Sequence, residues 1–130
     1  MDLAFIVIDE SELDCFIARK VIQQVDEDLF VVVFQSAQDG LDSIRENRIS
    51  GGFTTIILLD IQMPVMDGFD FVEEFEKLPI EIKNKYKICI LSCTRNANDI
   101  SRIMAYETVV DLIEKPLYKT DLQSLITRLR

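Results

Sequence analysis

Polar residues that could do chemistry stand directly after the apolar runs of this sequence. Asp9 and Glu10 follow the first run, Asp60 follows the third, Ser92 closes the fourth, and Lys115 lies just beyond the fifth. If the runs are parallel strands, side chains at their carboxyl ends meet at one crevice. These residue types therefore indicate an acid-rich site with one ammonium and one hydroxyl group beside it.

The carboxylates of such a site point to a divalent cation. Asp9, Glu10 and Asp60 would repel one another at close range, and Mg²⁺ relieves that repulsion because it takes hard oxygen ligands. With the cation bound, one carboxylate can attack phosphorus and form an aspartyl phosphate. Ser92 and Lys115 are suited to hold the incoming phosphoryl oxygens.

Each of these residues also has an ordinary structural interpretation. Asp9 and Glu10 are favoured before a helix by the helix dipole. Ser92 can cap a turn, Lys115 can be a solvated loop lysine, and an isolated Asp60 can simply close a strand. The chemical interpretation is favoured because all of these residues stand at strand ends that reach one crevice.

Apolar runs and helical periodicity alternate five times along the chain. Strands are predicted at residues 3–8, 29–34, 55–60, 86–92 and 109–113. Helices are predicted at residues 11–25, 36–47, 69–78, 96–106 and from 119 to the end, with a loop at 50–52. Ser11 with Asp14, and Ser36 with Asp39, match the capping-box arrangement and predict N-caps for the first two helices. Continuous apolar strands joined by helices predict an α/β fold. We expect one domain over residues 1–130 with a parallel five-stranded sheet. If that sheet is doubly wound with the order 2-1-3-4-5, the first and third strands are neighbours and bring Asp9, Glu10 and Asp60 together.

The composition limits the class of protein. The 130 residues are 48% hydrophobic with a net charge of −9, which indicates a globular chain and argues against a nucleic-acid partner. The absence of histidine excludes histidine-based triads and most catalytic zinc sites. No apolar run approaches the roughly 20 residues of a membrane span, so we expect a cytoplasmic protein. Cys15, Cys89 and Cys93 form no C-x-x-C pair and are interpreted as core residues.

Four sequence motifs resemble the receiver domain of two-component response regulators. They are Ile-Asp-Glu at 8–10, Leu-Asp-Ile-Gln-Met-Pro-Val-Met-Asp-Gly at 59–68, Leu-Ser at 91–92 and Lys-Pro at 115–116. The resemblance covers essentially the whole chain, and the D-x-x-M-P-x-M-D-G pattern is its most specific part. It implies a flavodoxin-like (βα)5 fold and a stand-alone, chemotaxis-type regulator.

The resemblance implies a role for each residue of the site. Asp60 matches the phospho-acceptor, Ser92 the switch hydroxyl, and Lys115 the lysine that contacts the phosphoryl group. The implied Mg²⁺ site consists of the carboxylates of Glu10 and Asp60, the backbone carbonyl of Gln62, and Asp9, which matches the acid that usually holds metal-bound water. A cis peptide bond is expected before Pro116.

Two positions depart from the usual pattern of that family. Glu10 replaces the second aspartate of the acidic pair, and Mg²⁺ is geometrically strict, so metal affinity is expected to be altered. Leu112 occupies the position of the switch aromatic, so the usual coupling through a rotating Tyr or Phe cannot operate in its ordinary form.

The resemblance implies a signalling module that catalyses only its own phosphorylation and dephosphorylation. Its expected partners are a histidine kinase or a histidine phosphotransfer protein and a downstream protein target, with no nucleic acid or membrane, and we expect a monomer. A phosphorylation-independent pseudo-receiver is the first alternative. A small phosphatase is disfavoured because Gln62 cannot act as a general acid. The chain could equally be a piece of a longer regulator.

Overall fold

The computed structural model describes residues 3–46 and 54–129. The strands are β1 (Leu3–Ile8), β2 (Phe30–Phe34), β3 (Thr54–Leu59), β4 (Tyr86–Ser92) and β5 (Val109–Glu114). The helices are α1 (Glu12–Val25), α2 (Ala37–Arg45), α3 (Gly68–Glu76), α4 (Ile80–Lys83), α5 (Ala97–Met104) and α6 (Lys119–Leu129). All five predicted strands are present, with bounds that differ by about one residue.

The five strands form one parallel sheet of order β2-β1-β3-β4-β5. This confirms the predicted doubly wound α/β fold. A buried apolar cluster lies on each face of the sheet, so both faces are covered by helices. Phe71 and Phe75 of α3 anchor one cluster, whereas Ile22 of α1 and Leu122 of α6 anchor the other.

The strands differ in burial according to their place in the sheet. Every described residue of β1 is buried, as expected for a central strand covered on both faces. The edge strand β2 is only partly buried, and Phe30 is 54% exposed. An uninterrupted apolar run therefore identifies a strand here, but it does not distinguish a central strand from an edge strand.

Side-chain caps fix where the helices begin. Ser11 and Ser36 each accept a hydrogen bond at 3.1 Å from the backbone N–H three residues on, which confirms both predicted N-caps. Asp67 caps α3 and forms a reciprocal capping box with Asp70. Asn96 caps α5, which buries only Ile103, in agreement with the thin apolar stripe of its sequence.

Several features of the chain differ from the sequence-based expectations. The four-residue helix α4 was not predicted, because a single turn is too short to show helical periodicity. Cys15 and Cys89 are buried as expected, but the prediction of a core position is wrong for Cys93, which is exposed. The predicted end of the second helix at 47 and the loop at 50–52 lie outside the described residues. Among the helices of the described ranges, none has the length and apolarity needed to cross a membrane.

Candidate functional site

The parallel ladder brings two acidic strand ends side by side. Ile8 pairs with Leu59 at the end of β1 and β3. The backbone N–H of Asp60 donates to the Ile8 carbonyl at 3.0 Å, so the pairing continues one residue past the strands. The residues Asp9 and Asp60 are 3% and 7% exposed, respectively. Two carboxylates are therefore buried next to each other, as the strand order predicts.

The ends of β4 and β5 bring a hydroxyl and an ammonium group to the same edge. The backbone N–H of Lys115 donates to the Ser92 carbonyl at 2.9 Å. The Ser92 side chain is buried, and its Oγ accepts the Thr94 backbone N–H at 3.2 Å. That bond uses the hydroxyl oxygen as an acceptor, which leaves the hydroxyl proton available to donate.

Lys115 is the cationic centre of the site. Its Nζ lies 2.6 Å from Asp9 Oδ2, 2.9 Å from Asp14 Oδ2 and 3.6 Å from Asp60 Oδ1. The first two are hydrogen bonds, and the third is an ion pair without a hydrogen bond. The side chain of Lys115 is only 10% exposed, so these contacts are poorly screened by water.

Burial and charge act in opposite directions on Asp60. Desolvation raises the pKa of its carboxyl group to about 6, outweighing the attraction of Lys115, and the nearby charge of Asp9 adds to the increase. Burial also disfavours the charged form of Lys115, but hydrogen bonds to Asp9 and Asp14 hold its pKa above the usual value. Lys115 therefore stays protonated while Asp60 titrates near neutrality in the metal-free protein.

Glu10 and Gln62 lie at the rim of the crevice. Both side chains are exposed, and they line one cleft together with Asp67 and Asp99. Among the described residues, no three acidic or cysteine side chains are grouped so that they could hold a cation as they stand. Asp9 and Asp60 contact Lys115 instead, so the metal-binding roles of all these residues stay predictions.

Asp14 is a site residue that sequence reasoning did not identify. Its position three residues after Ser11 predicted a reciprocal capping box, and its backbone N–H does bond to Ser11 Oγ. Its carboxylate, however, bonds to Lys115, which lies 101 residues away in the sequence. The only sequence signal is an acid in the first turn of the helix that follows the first acidic strand end.

The loop after β3 is held close to the site by backbone contacts. The N–H of Gly68 donates to the Ile61 carbonyl at 2.8 Å. A Cβ at Gly68 would lie 2.7 Å from Ile61 Cα and 2.9 Å from the Asp60 carbonyl oxygen, so only glycine fits there. Val65 adopts a left-handed conformation with φ of 68°, and the Lys115-Pro116 peptide bond is cis as expected.

Leu112 lies in the last strand, β5. It is partly buried and packs against the core on the α3 face of the sheet, in the same cluster as the partly buried Tyr106. The hydroxyl of Tyr106 donates to Glu73 Oε1 of α3 at 2.9 Å. Tyr106, one of the two aromatic residues six positions from Leu112 in the sequence, is therefore bonded to another helix.

Known proteins share this architecture. A solved response regulator receiver protein from Dyadobacter fermentans is 31% identical, with a TM-score of 0.83, over 97% of this chain and 96% of that one. Hybrid signal transduction histidine kinase L of Dictyostelium discoideum is 28% identical over 95% of this chain and 7% of its own length. The peroxide stress-activated histidine kinase mak1 of Schizosaccharomyces pombe is 40% identical over 51% of this chain and 4% of its own length.

These curated relatives are much longer than the region they share with this chain, so the similarity concerns one domain of each. The solved receiver protein shares the fold described above. The model of the response regulator receiver domain matches residues 5–127, and the chain belongs to this family of two-component signalling domains.

Proposed function

We propose that Asp60 accepts a phosphoryl group from a phosphohistidine of a histidine kinase or a histidine phosphotransfer protein. The observation that carries the proposal is the buried Asp60 carboxylate, which lies beside Asp9 and 3.6 Å from the Lys115 ammonium. A buried carboxylate in this environment does not favour folding, because burial disfavours its charged form. The arrangement is accounted for if the carboxylate reacts.

In the proposed reaction a carboxylate oxygen of Asp60 attacks phosphorus. An O–P bond forms, the N–P bond of the phosphohistidine breaks, and the imidazole leaves with the electron pair. Lys115 already points an ammonium at this edge, and the Ser92 hydroxyl has a proton free to donate to a phosphoryl oxygen. Charge-assisted hydrogen bonds of this kind stabilise the charge on the transferred group.

The donor atoms at this edge fit Mg²⁺ by their chemistry. Asp9, Glu10 and Asp60 offer hard carboxylate oxygens, and the backbone carbonyl of Gln62 adds a neutral one. These four residues would hold the ion. When bound, Mg²⁺ neutralises charge between the carboxylates and the phosphoryl oxygens. To hold the ion or its bound water, Asp9 would give up its 2.6 Å hydrogen bond with Lys115.

Phosphorylation is expected to change a protein-interaction face. It adds close to two negative charges beside Ser92 and Lys115, and a rearrangement of these residues would reach the surface through β5 and α5. Leu112 has no hydroxyl or ring to follow that change, so the response is expected to be transmitted by packing. We further propose that residues 1–130 act as one cytoplasmic, monomeric receiver domain with a protein target and no catalysis beyond its own phosphorylation and dephosphorylation.

Acetyl phosphate with Mg²⁺ tests the proposal directly. We expect the purified chain to gain the mass of one phosphoryl group as a base-labile adduct, and Asp60→Asn to prevent it. Asp42→Asn is the matched control, because Asp42 is an exposed aspartate on α2. An unmodified wild-type chain that is folded and binds Mg²⁺ would contradict the proposal, as would a persistent adduct in Asp60→Asn.

A phosphorylation-independent binding module is the second candidate function. The exposed side chain of Glu10 and the aliphatic Leu112 favour it, because both depart from the usual machinery of the family. Titration with Mg²⁺ distinguishes the two functions. A complete lack of any metal-dependent change would support the second candidate, whereas saturable binding that Asp60→Asn weakens would support the first.

A further inference from the structure

The hydrogen bonds of Asp9 leave little of its carboxylate free. Its Oδ1 accepts the Ser11 backbone N–H at 2.9 Å, and its Oδ2 accepts Lys115 Nζ at 2.6 Å. The Cys15 thiol also donates to the Asp9 backbone carbonyl at 3.2 Å, which fixes the main chain at this point. Asp9 can turn toward a cation only by giving up one of its side-chain hydrogen bonds, and the bond to Lys115 is the one a second cation would compete for.

Release of Lys115 by Asp9 would be unfavourable without another partner. The side chain of Lys115 is 10% exposed, and an unpaired buried ammonium carries a large desolvation penalty. Asp60 lies 3.6 Å away and is itself needed for the incoming groups. Among the described residues, Asp14 Oδ2, at 2.9 Å, is the remaining carboxylate in contact with the ammonium.

We propose that Asp14 is a positioning residue that keeps Lys115 in the crevice when Asp9 turns to a cation. This inference rests on the proposed function and deepens it. The Asp14 side chain is 35% exposed and lies outside the acidic pair of Asp9 and Asp60, so it can remain bound to Lys115 throughout. Asp14 therefore lowers the free energy needed to release Asp9.

The charge of the side chains around Lys115 also indicates that Asp14 favours Mg²⁺ binding. Three carboxylates, those of Asp9, Asp14 and Asp60, surround the single ammonium group of Lys115. Removing the Asp14 carboxylate reduces the negative charge of this cluster, so an approaching divalent cation is attracted less. Loss of Asp14 is thus expected to weaken Mg²⁺ binding both by leaving Lys115 dependent on Asp9 and by reducing the local negative charge.

The test measures Mg²⁺ affinity by titration calorimetry on the full chain at pH 8. We expect Asp14→Asn to weaken binding by about three- to tenfold, as for loss of one partly exposed charge contact. Asp14→Glu should recover most of the affinity because it restores the charge. Asp39→Asn is the matched control, since Asp39 occupies the same position after the N-cap Ser36 in α2. It should change binding less than about twofold.

The Lys115→Met background separates action through Lys115 from a general effect of charge. If Asp14 acts mainly through Lys115, the effect of Asp14→Asn on Mg²⁺ affinity should shrink to about twofold or less in that background. In EDTA, without metal, the double variant should show a smaller decrease in melting temperature than the sum of the decreases caused by Asp14→Asn and Lys115→Met alone. If Asp14 only helped to cap helix α1, the decreases in melting temperature caused by Asp14→Asn and Lys115→Met would be additive.

The possible results separate the role of Asp14 from the proposed function of the domain. Equal effects of Asp14→Asn and Asp39→Asn on Mg²⁺ affinity would overturn the role of Asp14, as would an undiminished effect in the Lys115→Met background. A folded wild-type chain that binds no Mg²⁺ would instead overturn the proposed function and this inference with it. Saturable wild-type binding and coupling that requires Lys115 would support both.

Discussion

Replacing Asp60 by asparagine should stabilise the metal-free protein at neutral and basic pH. Asparagine keeps the size of the side chain and removes the buried charge. The pKa of Asp60 is about 6 in the folded protein against an ordinary value of 3.8. That difference of about 2 pH units corresponds to about 3 kcal/mol, at about 1.36 kcal/mol for each unit.

The pH dependence follows from which state binds the proton more tightly. Folded Asp60 has the raised pKa, so the folded state holds the proton more tightly than the unfolded state between pH 3.8 and about 6. Stability is therefore lost as the pH rises through that window, and the full penalty is present above it. The advantage of Asp60→Asn over wild type should be about 3 kcal/mol at pH 8 and roughly half of that at pH 5.

Urea unfolding followed by far-ultraviolet circular dichroism gives both free energies. The measurements use wild type, Asp60→Asn and the exposed control Asp42→Asn in EDTA at pH 5 and pH 8. Asp42→Asn should leave the free energy of unfolding within about 0.5 kcal/mol of wild type at both pH values. Added Mg²⁺ at roughly 100 times its dissociation constant should raise wild-type stability by about 2.7 kcal/mol and affect Asp60→Asn much less.

Two results would contradict a destabilising effect of the buried Asp60 charge. One is an Asp60→Asn variant that is less stable than wild type at pH 8 in EDTA, because the carboxylate would then be stabilised by its contacts with Lys115 more than burial disfavours it. The other is a gain of equal size at both pH values, because a buried charge must lose its effect as the carboxyl group takes up a proton.

Three further changes test other parts of the structure. Gly68→Ala should lower the free energy of unfolding in urea by about 1–3 kcal/mol, because a Cβ at position 68 meets backbone atoms. Gly40→Ala should cost less, because a Cβ at position 40 meets the flexible end of the Ile8 side chain. Equal losses of stability in the two variants would contradict this expectation. Tyr86→Phe should leave the free energy of unfolding unchanged or slightly higher, because the buried hydroxyl has no hydrogen-bond partner in the described residues. A decrease of more than about 1 kcal/mol in that free energy would show that the Tyr86 hydroxyl is hydrogen-bonded. Val65→Gly should raise the melting temperature, because a β-branched residue is strained at φ of 68° and glycine is not; a lower melting temperature would count against strain there.

The sheet and its acidic edge could be predicted from the sequence because their signals are local. An apolar run that ends at Asp60 defines both a strand and the position of its last side chain. The strand order, which the resemblance to receiver domains implies, then places Asp9 beside Asp60. For the same reason Ser11 and Ser36 could be identified as helix caps from residues only three positions apart.

The remaining features depend on long-range contacts or on the direction of a side chain. The bond between Asp14 and Lys115 joins residues 101 positions apart, and no local pattern distinguishes it from an ordinary capping box. Strand order places Glu10 near the crevice but does not determine that its side chain points to solvent. Edge exposure of Phe30 likewise follows from the arrangement of the whole sheet.

The bond between Lys115 and Asp9 has a consequence for how the chain folds. It spans 106 residues, so it forms only after β5 has joined a sheet that already contains β1. Contacts of such long range form late because closing a long loop is entropically unfavourable. A chain in which β5 has not yet joined the sheet would have two acidic strand ends without the ammonium of Lys115 between them. If Asp60 accepts a phosphoryl group as proposed, its reactivity would therefore depend on the last strand being in place.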